Sequence, residues 1–165
     1  MDRWLRWIVV VALCGMPCLV QDGSGQSKDS DEVALSAKER ELLERTNEER
    51  KKEGLSPVRP NPVLVKVARA HAANMARQQK PEHVLDSKTP YQRIKEAGYR
   101  YWVAGENVAA GETDIADTFQ GWMASPGHRD NILDRKYTEI GLGLGRDDKG
   151  WTYYAQLFAT PAKKK

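Results

Sequence analysis

The sequence is short of cysteine, histidine and phenylalanine, and it has no strong excess of one charge. Its 165 residues include two cysteines, three histidines and two phenylalanines, with 26 basic and 23 acidic side chains. A net charge of +3 without a basic stripe argues against a nucleic-acid partner. The length favours a single domain. Any histidine-based site must use His71, His83 or His128 together with carboxylates.

The only cysteines, Cys14 and Cys18, lie in an N-terminal segment that is typical of a secretory signal peptide. Arg3 and Arg6 precede a short apolar stretch, and a polar run follows it. The stretch is too short and too interrupted for a membrane-spanning helix. We therefore predict a signal peptide over residues 1–25, with cleavage between about residues 15 and 25. The mature protein would be secreted or periplasmic, without a cysteine or a membrane span, and a lipid anchor is the less favoured alternative.

Composition divides the rest of the chain into a linker, one domain and a tail. Residues 26–35 are polar and lack periodicity, which predicts a flexible linker. Residues 36–160 have the apolar periodicity of a folded domain, and residues 161–165 form a basic tail that we expect to be solvated. A domain of about this size can bury a core that needs no disulfide.

Capping signals and apolar spacing predict four helices in the first part of the domain. Each begins at a side chain that can accept a hydrogen bond from the first turn, namely Ser36, Asn61, Thr89 and Thr113. Proline follows Asn61 and Thr89, which favours helix starts at both. The predicted helices end near Lys52, Gln79 and Ala97 and before Ser125, and a single turn follows at residues 128–133.

The periodicity changes from helical to alternating in the last part of the domain. Residues 140–145 alternate Ile or Leu with glycine, and residues 151–158 alternate across a turn at residues 147–150. Helices followed by an antiparallel hairpin predict an α+β fold rather than a βαβ winding. The glycines leave a flat surface that a helix or another backbone can approach closely. We expect residues 99–104 to form a short strand or an extended segment.

Each candidate site residue also has a plain structural interpretation. His71 lies among apolar residues, so we expect a packed core histidine, with support of a nearby site as the alternative. His83 lies in a polar loop, a common place for a site but also for an exposed histidine. His128 follows a sharp break at Ser125, and Glu106 lies between small residues that allow tight packing. A lone glutamate is usually surface charge, so only the combination indicates a site.

Four segments of the domain form an ordered set of motifs. They are Gly-Glu-Asn-Val-Ala at 105–109, Gly-Trp-Met-Ala-Ser-Pro-Gly-His-Arg-Asp-Asn-Ile-Leu at 121–133, Thr-Glu-Ile-Gly-Leu-Gly at 138–143 and Tyr-Ala-Gln-Leu-Phe at 154–158. In this order they resemble the signatures of the CAP superfamily, which includes cysteine-rich secretory proteins, insect venom antigens and plant pathogenesis-related proteins. Upstream, Leu43, Asn47 and Arg50 resemble its first-helix motif. The resemblance covers roughly residues 42–158, and four motifs in the right order are highly specific.

The resemblance implies an α-β-α sandwich with a large cleft, where two histidines and two acids hold a divalent metal in some members. By position the histidines are His83 and His128, and the first acid is Glu106. The position of the second acid is Ser125, so the tetrad is incomplete, and Glu139 is a candidate substitute. Two imidazoles and one carboxylate match a three-ligand site for zinc or another divalent metal with one open position.

Two functions are compatible with this resemblance. We expect a monomeric, secreted, non-enzymatic domain that binds an extracellular lipid, glycan or protein in a cleft containing His83, Glu106, Ser125 and His128. The alternative is a metal-dependent hydrolase of an extracellular or cell-envelope substrate, with Glu106 or Glu139 as general base. The missing second acid and the absence of the H-E-x-x-H and G-x-S-x-G motifs favour binding. A serine hydrolase built on Ser125, His128 and Glu106 rests on sequence adjacency alone.

Overall fold

The computed structural model of this chain describes residues 33–111 and 114–163. The predicted signal peptide, most of the predicted linker, Thr113 and the last two lysines lie outside these ranges. The described residues form helices around a four-stranded sheet, which confirms the α+β expectation. The elements are α1 (Ala37–Lys52), β1 (Arg59–Pro60), α2 (Pro62–Gln78), α3 (Pro90–Glu96), β2 (Tyr101–Gly111), α4 (Ile115–Ala124), α5 (Pro126–Leu133), β3 (Glu139–Arg146) and β4 (Thr152–Pro161).

The strands are ordered β1-β3-β4-β2 across the sheet. The predicted hairpin is present, because β3 and β4 pair antiparallel. β4 also pairs antiparallel with β2, which is longer than the segment predicted at 99–104 and places Glu106 on a strand opposite Leu157. This extension comes from pairing with β4 rather than from local propensity, since its glycines and alanines are weak strand formers. The two-residue strand β1, parallel to β3, has no sequence signal of its own.

The capping predictions hold for the first three helices and need correction for the last two. Ser36 and Thr89 form capping boxes with Glu39 and Gln92, and the Asn61 side chain accepts from the first turn of α2. The cap of α4 is Asp114, whose carboxylate accepts from the backbone of Asp117, instead of the predicted Thr113. The predicted single turn at 128–133 is a full helix, α5, that begins directly after α4 with Pro126 in its first turn.

One face of the sheet lies directly against α2. Methyl groups added at Gly141, Gly143 and Gly145 would overlap the α2 backbone at Leu64, Ala68 and Ala72 respectively. The glycine stripe of β3 therefore accommodates a helix at backbone contact, as its alternation predicts. α3 packs on the same side of the sheet, where the core residues are Leu64, Ala68, Met75, Ile94, Val108, Ala155 and Leu157.

The other face of the sheet is covered by α1, α4 and α5, which gives the α-β-α layering. Buried Arg50 of α1 joins this layer to the chain after α5. Its guanidinium donates to the carbonyls of Ile132 at 2.9 Å, Asp134 at 3.0 Å and Tyr137 at 3.1 Å, while its Nε donates to Ser56. The carbonyls near the end of α5 thus receive the donors that they lack within the helix.

We predict that Gly143→Ala destabilises the protein by about 1–3 kcal/mol, because its methyl group would force α2 away from β3. The matched control is Gly121→Ala, which meets nothing within 4 Å on α4 and should be neutral or stabilising by up to about 1 kcal/mol. Urea unfolding of both variants measures the difference. Equal stability of the two variants would contradict the close contact between α2 and β3.

Candidate functional site

Glu106 lies on the edge strand β2, and its carboxylate is the centre of a buried polar cluster. The side chain is 1% exposed. One oxygen accepts from Arg93 Nη2 at 2.6 Å, and the other lies 2.9 Å from His83 Nδ1. The carboxylate therefore has a cation on one side and an imidazole on the other, the pairing that a buried charge requires.

Arg93 comes from α3 and fixes the loop that contains His83. Besides its contact with Glu106, its guanidinium donates to the backbone carbonyls of His83 at 2.8 Å and Lys88 at 2.9 Å. One side chain thus joins β2, α3 and the loop before α3. Sequence reasoning missed Arg93, because an arginine on a short charged helix resembles any solvated surface arginine.

His71, on α2, is a packed histidine as expected, and it also lies against the Glu106 cluster. Its Nε2 is 3.0 Å from the carbonyl of Glu82 and 3.9 Å from the Glu106 carboxylate. Burial lowers the pKa of His71 despite the opposing effect of Glu106, so the neutral ring is favoured. In the neutral ring Nε2 bears the proton, because only a donor can bond a carbonyl oxygen.

His128 lies on α5, in the opposite helical layer, and contacts Asn107, the residue that follows Glu106 on β2. Its backbone carbonyl accepts from Asn107 Nδ2 at 3.1 Å, and its ring lies 6.5 Å from that of Trp122. Burial lowers the pKa of His128, and the charge of His83 lowers it further. The two histidines therefore interact electrostatically, although they belong to different elements.

A chain of buried amides and a hydroxyl connects α1, the sheet and α5 next to these histidines. Gln156 Nε2 donates to Thr46 Oγ1 at 2.8 Å, and Asn107 Nδ2 donates to Gln156 Oε1 at 3.0 Å. Asn131 Nδ2 donates to Asn107 Oδ1 at 2.9 Å and to the Glu106 carbonyl at 3.2 Å. Gly105 lets Asn131 approach, since a methyl group there would overlap it. The network holds α5 against β2.

Ser125 and Glu139, the other candidate residues, take different positions. Ser125 lies at the junction of α4 and α5 next to His128, and its side chain makes no capping hydrogen bond. The Glu139 carboxylate accepts from Tyr99 Oη at 2.6 Å and from Asn61 Nδ2 at 3.0 Å. It lies two strands away from Glu106, because β4 separates β3 from β2. These contacts give Glu139 a structural role at the start of α2 and do not extend to His83 or His128.

A family model for the cysteine-rich secretory protein (CAP) family matches residues 43–158. The chain belongs to the CAP family. The Bacillus subtilis protein YkwD is 37% identical over 120 residues, which are 72% of this chain and 47% of that protein. The chain thus spans about half the length of this curated relative, so the relative's whole activity does not transfer to it.

Solved CAP structures share this fold. An outer surface protein of Borrelia burgdorferi is 22% identical with a TM-score of 0.73, covering 79% of this chain and 97% of that chain. An extracellular SCP-domain protein of Bacillus anthracis is 27% identical with a TM-score of 0.66, covering 78% and 45%. Both are described as surface or extracellular proteins. Within residues 33–111 and 114–163, no helix has the length and apolar character needed to cross a membrane.

The CAP histidines and acids meet the requirements of a metal only in part. One CAP relative, NaASP2, has been solved with Zn²⁺, at 14% identity and a TM-score of 0.54, covering 86% of this chain and 90% of that chain. In the described part of this chain, no three His, Cys, Asp or Glu side chains are arranged to hold a metal ion. The Glu106 carboxylate, expected as a third ligand, is instead engaged by Arg93 and His83.

We predict that the free energy of unfolding falls by up to about 1 kcal/mol between about pH 7.5 and pH 5.5 because of His71. The pKa of His71 is below 6.5 in the folded protein, where Glu106, Arg93 and His83 face the ring. As the pH falls through about 6.5, His71 becomes protonated in the unfolded chain, while the buried ring of the folded protein stays neutral. Protonation therefore favours the unfolded chain. Urea unfolding at both pH values measures the loss.

The matched variant is His71→Gln, which can still donate to Glu82 but does not titrate. It should lose less stability than the parent over this pH range. His128→Gln should keep most of the parent's pH dependence, since the His71 contribution remains. Parallel pH profiles for the parent and His71→Gln would contradict the prediction.

Proposed function

We propose that this CAP domain is an extracellular binding module whose ligand cleft lies between His83 and His128, and that it is not an enzyme. This proposal rests on the environment of Glu106. Both carboxylate oxygens are engaged, and the side chain is almost inaccessible to solvent. A general base must lie within reach of the proton that it removes. Glu106 is therefore suited to orient His83 rather than to act on a substrate.

His83 is the residue of the cluster most open to a ligand. Its side chain is 49% exposed, and Nδ1 is directed to Glu106, which leaves Nε2 for another partner. His128 provides the second imidazole and Ser125 a hydroxyl close to it in sequence. The cleft thus combines two imidazoles with one small polar group, a set that suits recognition of an extracellular lipid headgroup, glycan or protein segment.

The imidazole pair also fits a divalent cation, with Glu106 in a supporting role. A metal-ligating histidine commonly donates its other ring N–H to a carboxylate, which fixes its tautomer and orientation. The contact between His83 and Glu106 has this form. His83 and His128 would hold the ion, and Glu106 would orient His83. A bound cation would add a positive charge that attracts anionic or carbonyl oxygen groups to the cleft.

We predict that zinc chloride raises the Tm of the protein through linkage, and that replacing both His83 and His128 by Ala abolishes the shift. Glu106→Gln should weaken the apparent zinc affinity by about 10–100-fold, because the orienting carboxylate is lost. The His71→Gln variant serves as the control, since this histidine lies outside the pair and should leave the shift in place. An equal Tm shift in the parent and the double variant would contradict metal binding by His83 and His128.

We further predict that the protein turns over no member of a panel of ester, amide, glycoside and phosphodiester substrates, with or without added zinc. The metal-dependent hydrolase remains the alternative function, with Glu106 as its general base. A hydrolysis rate above the blank that is lost in Glu106→Gln would overturn the non-enzymatic proposal. Glu139→Gln is the matched control, because that carboxylate bonds Tyr99 and Asn61 away from the cleft.

A further inference from the structure

A groove of about 670 Å³ lies between α2 and α3. Its volume is within the range of small-molecule sites. Val63, Val67 and Ala70 of α2 form one apolar wall, and Ala97 at the end of α3 lies opposite. Because Ala70 and Ala97 are exposed, the groove is open to solvent along its length.

Two buried nitrogens at this groove have no hydrogen-bond partner among the described residues. They are His71 Nδ1 and Arg93 Nε, and both residues line the groove. The His71 side chain is completely buried, and 12% of the Arg93 side chain is exposed. Buried polar groups in folded proteins nearly always find a partner, so each exception calls for an explanation. A ligand entering the groove would supply one.

The two nitrogens define the kind of group that would satisfy them. Since His71 Nε2 donates to the Glu82 carbonyl, Nδ1 of the neutral ring is an acceptor. Arg93 Nε carries a hydrogen and is a donor. A hydroxyl or a carboxamide can both donate and accept. An ionised carboxylate or phosphate has no proton to give to Nδ1, and it would meet the Glu106 carboxylate next to both residues.

Several charged side chains along the rim of the groove are paired with other residues. Lys88 and Glu96 pair with each other at 2.6 Å. Asp86 accepts from Asn74 at 2.8 Å and from Gln78 at 3.0 Å. Arg77 lies 4.0 Å from Asp86, and Lys66 also lines the groove, so the rim carries a modest excess of positive charge. The preference for an uncharged group therefore rests on His71 Nδ1 and on the neighbouring Glu106 carboxylate, not on the rim.

We propose that the groove between α2 and α3 is a second ligand site, which takes a neutral sugar bearing hydroxyl and N-acetyl groups. Such a sugar has hydroxyl and carboxamide groups for His71 Nδ1 and Arg93 Nε. Its methyl group and apolar ring faces match Val67 and Ala70. The two nitrogens lie beneath the groove wall, so their side chains must shift to admit the polar group. This site depends on the groove alone and does not require the cleft proposed above.

The test is an NMR titration of the ¹⁵N-labelled protein with the trimer of N-acetylglucosamine. We expect saturable shifts of the backbone amides of Val67, Ala70 and Ala97 and of the Arg93 Nε–H. Ala70→Leu should weaken binding by at least about tenfold, because the larger side chain fills the groove. The matched control, Ala73→Leu, is an exposed alanine of the same helix outside the groove and should keep the parent affinity.

A second blocking variant, Ala97→Leu, fills the groove from α3 and keeps the test valid if Ala70→Leu does not fold. Glucuronic acid, an anionic sugar, should leave the groove amides unshifted. The proposal is overturned if the trimer gives no saturable shift, if Ala73→Leu weakens binding as much as Ala70→Leu, or if glucuronic acid shifts the same amides. Shifts confined to His128 and Asn131 would instead assign the sugar to the cleft and overturn the groove site.

Discussion

The contact between α2 and β3 at backbone distance is the constraint on which the rest of the structure depends. It exists because Gly141, Gly143 and Gly145 present no side chain toward the helix. Because α2 is held this close to the sheet, His71 lies directly beside the Glu106 carboxylate on β2. The helix ends at Gln78, and the left-handed conformation of its cap, Gln79, turns the chain into the loop that contains His83. The glycines of one strand thus set the position of residues on three other elements.

The candidate site is built from both helical layers, which meet at the edge of the sheet. His83 and Arg93 contact the Glu106 carboxylate together with His71 of α2, and His128 lies on α5 in the other layer. β2 is the element between them, because adjacent residues of a strand face opposite sides. Glu106 faces the first layer, and Asn107 faces the second. One Glu-Asn pair on an edge strand therefore organises the two halves of the cleft.

Local signals in the sequence were sufficient for the first four helices and the hairpin, whereas α5 was predicted only as a single turn. Ser36, Asn61 and Thr89 act through hydrogen bonds to the first turn of their own helices, so short-range patterns reveal them. β1 and most of β2 exist because of partners distant in sequence, and no local pattern encodes them. The same difference between local patterns and long-range contacts explains which site residues could be predicted. The CAP resemblance indicated His83, Glu106 and His128, but Arg93 and the contacts of Glu139 depend on the packing of separate elements.

Two buried nitrogens lack a hydrogen-bond partner, and the stability of the fold does not explain why. In the described part of the chain, the buried side-chain atoms without a partner are His71 Nδ1 and Arg93 Nε, and both residues contact Glu106. Elsewhere the interior is closed by complete networks, as at Arg50 and Asn107. A fold under selection for stability alone gains nothing by leaving two donors or acceptors unsatisfied at one place. Buried polar atoms that lack a hydrogen-bond partner, in an interior where such atoms are otherwise paired, are typical of functional sites. Here the residues that carry them line the groove between α2 and α3.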